Sequence, residues 1–331
     1  FLLSGSGYRP GDDLLQTRMT VLPAHMSAEQ IEAHRRYNPF FDGSYWPDGM
    51  ARVAGREYNG LLESTCYQKG GMTCLSCHSM HHSDPDDQLS TVGKTNEACY
   101  QCHASYRENL VAHTRHQPES TGSQCYNCHM PHTTYGLFKA IRSHQITSPN
   151  VAVTLSTGRA TACNLCHLDQ TLGWSAEKLS EWYTQPAEQL TEEQRSYSAV
   201  GLWLLKGNAV ERALASWIAG WRPATDASSR DWLAPVLATL LDDTSPVIRL
   251  VASRSLDAID PRYARDYDFV STADELGAAR QRVLDLWKAA ASGKSEKLPR
   301  RVFMDEHGQF DEELVQALIA ERDNRGLRVS E

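Results

Sequence analysis

The chain has 331 residues, 41% of them hydrophobic, and a formal charge of −8 at pH 7. That length accommodates two domains, and that composition suits a folded globular chain. No run of 18 or more apolar residues occurs, which excludes a helical membrane span, and the acidic balance argues against nucleic acid as a partner while weakly favouring a basic surface on a partner protein.

Residues 1–65 are rich in Gly, Pro, aromatic and charged residues. The chain opens on Phe1, and its apolar start, Phe1 to Leu3, is too short for a whole signal peptide. The expectation is a removed leader or a sequence that continues upstream. GYRPGDD at 7–13 and YWPDGM at 45–50 read as turns. Between them, SAEQIEAHRRY at 27–37 predicts a helix that Ser27 caps and Gln30 closes as a capping box. His25 and His34 read as surface histidines ahead of metal ligands. The whole stretch is expected to pack as an irregular lid over the segment that follows.

Residues 66–174 carry one motif four times: CLSCH at 74–78, CYQCH at 99–103, CYNCH at 125–129 and CNLCH at 163–167. Each is Cys-x-x-Cys-His, the attachment site of a c-type haem. Two thiols add across the haem vinyl groups, two intervening residues let one turn of backbone reach both, and the next residue places an imidazole under the ring. The haem-binding cysteines are Cys74, Cys77, Cys99, Cys102, Cys125, Cys128, Cys163 and Cys166; the motif ligands are His78, His103, His129 and His167. Zinc binding or thiol exchange explains such cysteine pairs less well. Zinc does not require a His fixed after every second Cys, and a thioredoxin-like motif occurs once. The expected cofactor is therefore heme c, four copies covalently attached.

Motif starts are spaced 25, 26 and 38 residues apart. Those gaps leave no room for a separate hydrophobic core at each site, so the haems must fill the middle, with short helices and irregular connections around them. Six further histidines compete for four sixth-ligand positions: His81, His82, His113, His116, His132 and His144. His81 and His132 each lie three residues after a motif His and would serve a neighbouring haem. His113 and His116 share the HTRH stretch and can serve two different haems. The preferred ligands are His81, His113, His116 and His144, giving low-spin bis-His iron, with His82 and His132 in reserve and Met72, Met80 and Met130 ranked lower. Arg142, beside His144, can pair with a propionate. Tyr67, Tyr100, Tyr126 and Tyr135 read as packing against porphyrin or bonding propionates. Cys66, the ninth cysteine, reads as a buried small apolar residue. Covalent haem attachment occurs outside the bacterial cytoplasm, so the expected location is periplasmic, cell-surface or extracellular.

From about residue 175 Cys disappears and amphipathic helical patterning takes over. Ser175 is expected to cap AEKLSEWY, and Thr191 to begin TEEQRSYSAVGLWLLKG. AVERALASWIAGW, SSRDWLAPVLATLLDD, SPVIRLVASRSLDAI, ADELGAARQRVLDLWKAA and DEELVQALIAER follow. LLKGNAVERALA at 204–215 resembles LLDDTSPVIRLVA at 240–252, an offset of 36 to 37 residues. That period signals stacked helix pairs. The turn, the Pro and the Val-x-Arg resemble HEAT repeats, with Arg249 expected to bond back to the Asp243 turn. Residues 175–290 are read as this HEAT-like α-helical repeat domain, and 291–331 as a charged linker and a terminal helix. The expected fold class is mainly α: an irregular, helix-poor haem domain followed by the helical repeats.

CHMPHTTYG at 128–136, RSH at 142–144, ACNLCHLDQTLGW at 162–174, CLSCHSMH at 74–81 and HTRH at 113–116 together resemble a family of multihaem c-type cytochromes with C-terminal helical repeats. The resemblance covers about residues 1–290. It implies electron transfer outside the cytoplasm and supports the four CxxCH sites and the histidines of HTRH and RSH. Members of that family often carry further haem motifs upstream of GYRPGDD, and none is present in this sequence. Three functions are open at this stage. The first is an electron carrier with redox partner proteins, whose helical domain docks a partner or a second copy. The second is a multihaem oxidoreductase acting on a small nitrogen or sulfur compound at an open iron. The third is a subunit of an extracellular filament or larger complex. The surplus of His over haems favours the carrier over the enzyme.

Overall fold

The computed structural model describes residues 9, 11–12, 21–38, 41–53, 56–79, 84, 87–291 and 297–325. His81, His82, Met80 and most of GYRPGDD lie outside the described residues, as does the burial of Tyr135. The molecule is mainly helical, and one two-stranded antiparallel sheet is present among the described residues.

Helix α1 (Ala28–Tyr37) starts as its sequence dictates: Ser27 Oγ accepts from the Gln30 amide, and the Gln30 side chain accepts from the Ser27 amide. Those two bonds satisfy backbone donors that the first turn otherwise leaves unpaired. After α1 the chain does more than cover the next segment. Trp46, Met50 and Val53 are buried in the main hydrophobic cluster of the molecule, together with Leu165, Leu168 and the helices beyond residue 198. A second early helix, α2 (Glu57–Glu63), packs its Gly60 against the backbone of His144 and Gln145.

The haem-motif segment holds short helices and turns. CYQCH begins within the four-residue helix Glu97–Tyr100, HTRH sits at the end of Leu110–Thr114, and CYNCH is itself the helix Cys125–His129. A hairpin follows. Strand β1 (His132–Tyr135) pairs with β2 (Lys139–Arg142) in a register that sets His132 opposite Arg142.

Helix α3 (Leu172–Tyr183) begins four residues earlier than expected. Thr171, with extended backbone angles, supplies the cap by accepting from the Trp174 amide. Ser175 lies inside the helix, wholly buried, and donates to Asn164 Oδ1. Helix α3 therefore grows directly out of the fourth motif, and the composition change at 175 is not a break in the chain. Thr191 forms its expected capping box, but the run after it divides. A first helix closes at Ser196, and Ser198 caps α4 (Ala199–Lys206) by accepting from the Gly201 amide.

Helix α4 is joined to α5 (Ala209–Ala219) by Gly207 and Asn208, and Asn208 caps α5 in a box with Glu211. Helix α6 (Leu233–Ala238) precedes α7 (Pro246–Ile259), where Pro246 occupies the first helical position, which needs no amide donor. Helix α5 packs on α7 and α4 on α6, so the second pair lies on the first. Between them Leu204, Leu205, Ile218, Trp232, Leu237, Leu240 and Ile248 are fully buried. Asp243 bonds to Arg212, not to Arg249. Arg212 Nε lies 2.9 Å from Asp243 Oδ2, and Arg322 Nη1 lies 3.1 Å from the same oxygen. Arg212 occupies in the first pair the place that Arg249 occupies in the second, so the bond runs forward to the next turn. Arg249 Nε is buried and unpaired among the described groups. Helix α8 (Ala273–Ala291) packs on α6. The chain returns at Val302, Phe303 and Met304, all fully buried, and α9 (Glu312–Ala320) lies against α4.

Candidate haem site

The four motifs share one local conformation. The amide of His78 donates to the Cys74 carbonyl at 2.8 Å, that of His103 to Cys99 at 2.9 Å and that of His167 to Cys163 at 2.8 Å. In the third motif the same turn is the helix Cys125–His129. A single tight turn thus presents two thiols and an imidazole each time, the arrangement that attachment to one porphyrin needs. None of the nine cysteines is paired in a disulfide. Among the described residues no three His, Cys, Asp or Glu side chains converge as a metal-binding group.

Motif histidines face non-motif histidines in three places. His78 faces His144 with ring centres 6.1 Å apart and planes 15° from parallel. His129 faces His113 at 6.1 Å and 3°, and His167 faces His116 at 6.0 Å and 26°. Two imidazoles in direct face contact would sit closer. A metal–nitrogen bond of about 2 Å on each side, plus roughly 1 Å from each nitrogen to its ring centre, gives about 6 Å. A gap of that size has room for one iron when a nitrogen of each ring points into it.

The tautomers agree. In each pair one ring has Nδ1 against a backbone carbonyl: His144 with Arg142 O at 3.0 Å, His129 with Thr147 O at 3.1 Å, His116 with Thr114 O at 2.6 Å. A carbonyl only accepts, so Nδ1–H donates and Nε2 keeps its lone pair for a metal. Burial lowers the pKa of His113, His129, His144 and His167 from the usual imidazole value, which favours the neutral, ligating form.

Gly122 makes room for the His116 ring, and Gly60 for the backbone that carries His144. A Cβ on Gly122 would lie 2.2 Å from His116 Cδ2, and one on Gly60 would lie 2.7 Å from the Gln145 amide nitrogen. Neither position stood out in the sequence, because a glycine needed for close approach looks like any turn glycine until its neighbour is known. Tyr183 donates to the His113 carbonyl, and the Tyr106 ring lies 4.4 Å from that of His113. Asn96 joins the second and third motifs. Its Nδ2 donates to Ser123 O, and its Oδ1 accepts from the Cys125 amide, each at 2.8 Å. Burial raises the thiols of Cys128, Cys163 and Cys166, the first to about 11 and the others to about 12.

Other histidines lie elsewhere. His132 is enclosed by Trp217 and Trp221, with ring centres 4.9 and 4.6 Å away, and burial lowers it to about 3. His25 bonds Glu63 at 2.6 Å, and His34 stacks on Phe41. Near His103 the described ring is Tyr106, at 6.2 Å. Arg142 turns its guanidinium to the third motif. It donates to the carbonyls of Tyr126 and Met130 at 3.3 Å and to Asn127 Oδ1. Cys66 is half-buried, less enclosed than expected.

A family model described as a doubled CXXCH motif matches residues 67–108, which hold the first two motifs. Comparison with curated proteins and with solved structures found no match. The doubled motif is consistent with a c-type cytochrome, and it implies covalently bound haem c. No helix among the described residues is long and apolar enough to cross a membrane.

Proposed function

We propose that this chain is a four-haem c-type cytochrome whose task is electron transfer. The observation that carries the reading is the set of three imidazole pairs at 6.0–6.1 Å, each joining a motif His to a distant one. In this reading Cys74, Cys77, Cys99, Cys102, Cys125, Cys128, Cys163 and Cys166 hold the macrocycles. His78 and His144, His129 and His113, and His167 and His116 bind three irons. His103 would bind the fourth; His81, expected from the sequence as a further ligand, lies outside the described residues.

Haem c supplies reversible one-electron chemistry at iron. The chain's own groups do the rest. His144, His113 and His116 would hold the irons together with the motif histidines and so keep water and small substrates from the metal. The carbonyls of Arg142, Thr147 and Thr114 fix ring orientation and proton position, so little rearranges when the charge changes. Asn96 holds the second and third sites close.

The stacked helix pairs α4–α5 and α6–α7 support a HEAT-like array, which we assign to docking a redox partner or a further copy of the chain. Covalent haem attachment supports export, and we assign the protein to the periplasm or the outside of the cell. Peptide mass spectrometry tests the haem assignment. A haem mass is expected on each of the peptides carrying residues 74–78, 99–103, 125–129 and 163–167. Unmodified cysteines at any two of these motifs would overturn the four-haem reading.

A further inference from the structure

His116 is held by a run of hydroxyl groups. Its backbone amide donates to Thr114 Oγ1 at 3.2 Å, and its Nδ1–H donates to the Thr114 carbonyl at 2.6 Å. Thr114 Oγ1 lies 3.2 Å from Ser123 Oγ, which is 2.7 Å from the Gln117 carbonyl and 3.2 Å from that of His116. A hydroxyl has one hydrogen, so the arrangement that serves every group has a direction: Thr114 donates to Ser123, and Ser123 donates to Gln117, the nearer carbonyl. Ser123 is wholly buried, so solvent does not compete for its hydroxyl. Arg115, with left-handed backbone at φ 61°, ends the helix Leu110–Thr114, so His113 and His116 turn to different partners, His129 and His167. Ser123 also reaches the third motif. Its carbonyl accepts from Asn96 Nδ2, and Asn96 Oδ1 accepts from the Cys125 amide.

We infer that Ser123 is a positioning residue for His116: through Thr114 it fixes the plane of that imidazole, and through its own backbone it ties that plane to the turn carrying the third motif. The chemistry follows from the geometry. Thr114 grips His116 twice, by its carbonyl at the ring and by its hydroxyl at the backbone, and Ser123 holds the hydroxyl in place. Groups that orient a ligand in this way set how it meets the metal. The plane of an axial imidazole decides which iron d orbital its π electrons raise, and so the g values of low-spin ferric iron. A ring that holds its plane in both oxidation states also keeps rearrangement small during electron transfer. Gly122, beside Ser123, completes the seat, because a Cβ there would fall 2.2 Å from His116 Cδ2. The consequence is that residues 122–125 serve two sites, the attachment turn at Cys125 and the ligand facing His167, which therefore do not move independently.

This inference rests on the haem reading above, and the experiment separates the two. In the haem-loaded full chain, Ser123→Ala, Thr114→Val and Thr114→Ser are compared by electron paramagnetic resonance of the oxidised protein, with haem content measured in each. His116→Ala identifies the signal of the iron concerned, as the low-spin signal it removes. Ser123→Ala and Thr114→Val, which each delete one hydroxyl of the run, are expected to shift and broaden that signal and leave the other low-spin signals in place. Thr114→Ser, which keeps the hydroxyl, is expected to retain the native signal. Native signals in both Ser123→Ala and Thr114→Val would overturn the inference. So would equal shifts in Thr114→Ser and Thr114→Val, or displacement of every low-spin signal together, either of which would mark a general loss of packing. If Ser123→Ala loads no haem, the Thr114 pair decides alone. Absence of haem from the native chain would overturn the haem reading, and this inference with it; a full haem complement with unmoved signals would overturn this inference alone.

Discussion

Between residues 66 and 150 the buried apolar side chains among the described residues are Tyr100 and Leu137. The stretch 198–256, shorter by some two dozen residues, buries Leu204, Leu205, Ile218, Trp232, Leu233, Leu237, Leu240, Leu241 and Ile248 completely. Ordering a chain costs roughly 1–2 kcal/mol per residue, and burial of apolar surface is what offsets it. The helical stretch meets that cost with its own side chains. The motif stretch does not, and what it holds instead are thiols and imidazole pairs with ring centres about 6 Å apart. In the proposed reading one half of the molecule is built around side chains and the other around a prosthetic group, although Leu137 of the motif stretch joins the same cluster as the helices.

The sharpest way to break that comparison is to withhold the cofactor. In protein made without haem, hydrogen exchange is expected to show amides of residues 87–147 exchanging at nearly unfolded rates. Those of α4 to α7 should stay protected, because their contacts are unchanged. Equal protection of both stretches would show that the motif segment has a core of its own. The converse substitution falls on the other half. Leu240→Ala, at a fully buried site, is expected to cost about 2–5 kcal/mol in urea unfolding of the helical stretch, with haem spectra unaltered. A spectral change would mean that the two halves are not independently filled.

The smallest effect concerns the point where the halves meet. His132 titrates near 3 in the folded protein because burial disfavours its charge, against about 6.5 when unfolded. Above pH 6.5 both states are neutral at this residue and its contribution is constant. As pH falls below 6.5 the unfolded chain takes up a proton that the folded one refuses, so stability falls until about pH 3. By pH 5 the loss is about 2 kcal/mol, and His132→Phe is expected to flatten that slope. An unchanged slope in the variant would assign the acid sensitivity to other groups.

The sequence made some of this legible and hid the rest for identifiable reasons. The Cys-x-x-Cys-His turns, the Ser27 and Thr191 boxes and the start of α7 at Pro246 are local: a few adjacent residues determine them, and they stand as read. The ligand partners are not local. His144 lies 66 residues from His78, and His116 lies 51 from His167, so their pairing depends on how α2, the hairpin and the fourth motif pack. Local rules misplaced Ser175 because a serine before an amphipathic run looks like a cap, yet Thr171 four residues earlier had the extended backbone a cap requires. Arg249 was paired with its own turn because the nearest acid in sequence was Asp243. The bond comes from Arg212, 31 residues earlier, across the stacked pairs. Asn96, Gly60 and Gly122 carried no signal at all, since each matters only through a neighbour far along the chain.

The measurement closest to the central claim is low-temperature electron paramagnetic resonance of the oxidised, haem-loaded chain alongside His113→Ala, His144→Ala and His132→Ala. The native spectrum is expected to be low-spin at three or more of the four irons, with one iron becoming high-spin in each of the first two variants and none in the third. A native spectrum dominated by high-spin iron, or low-spin signals untouched by losing His113 and His144, would contradict the facing imidazole pairs as iron ligands.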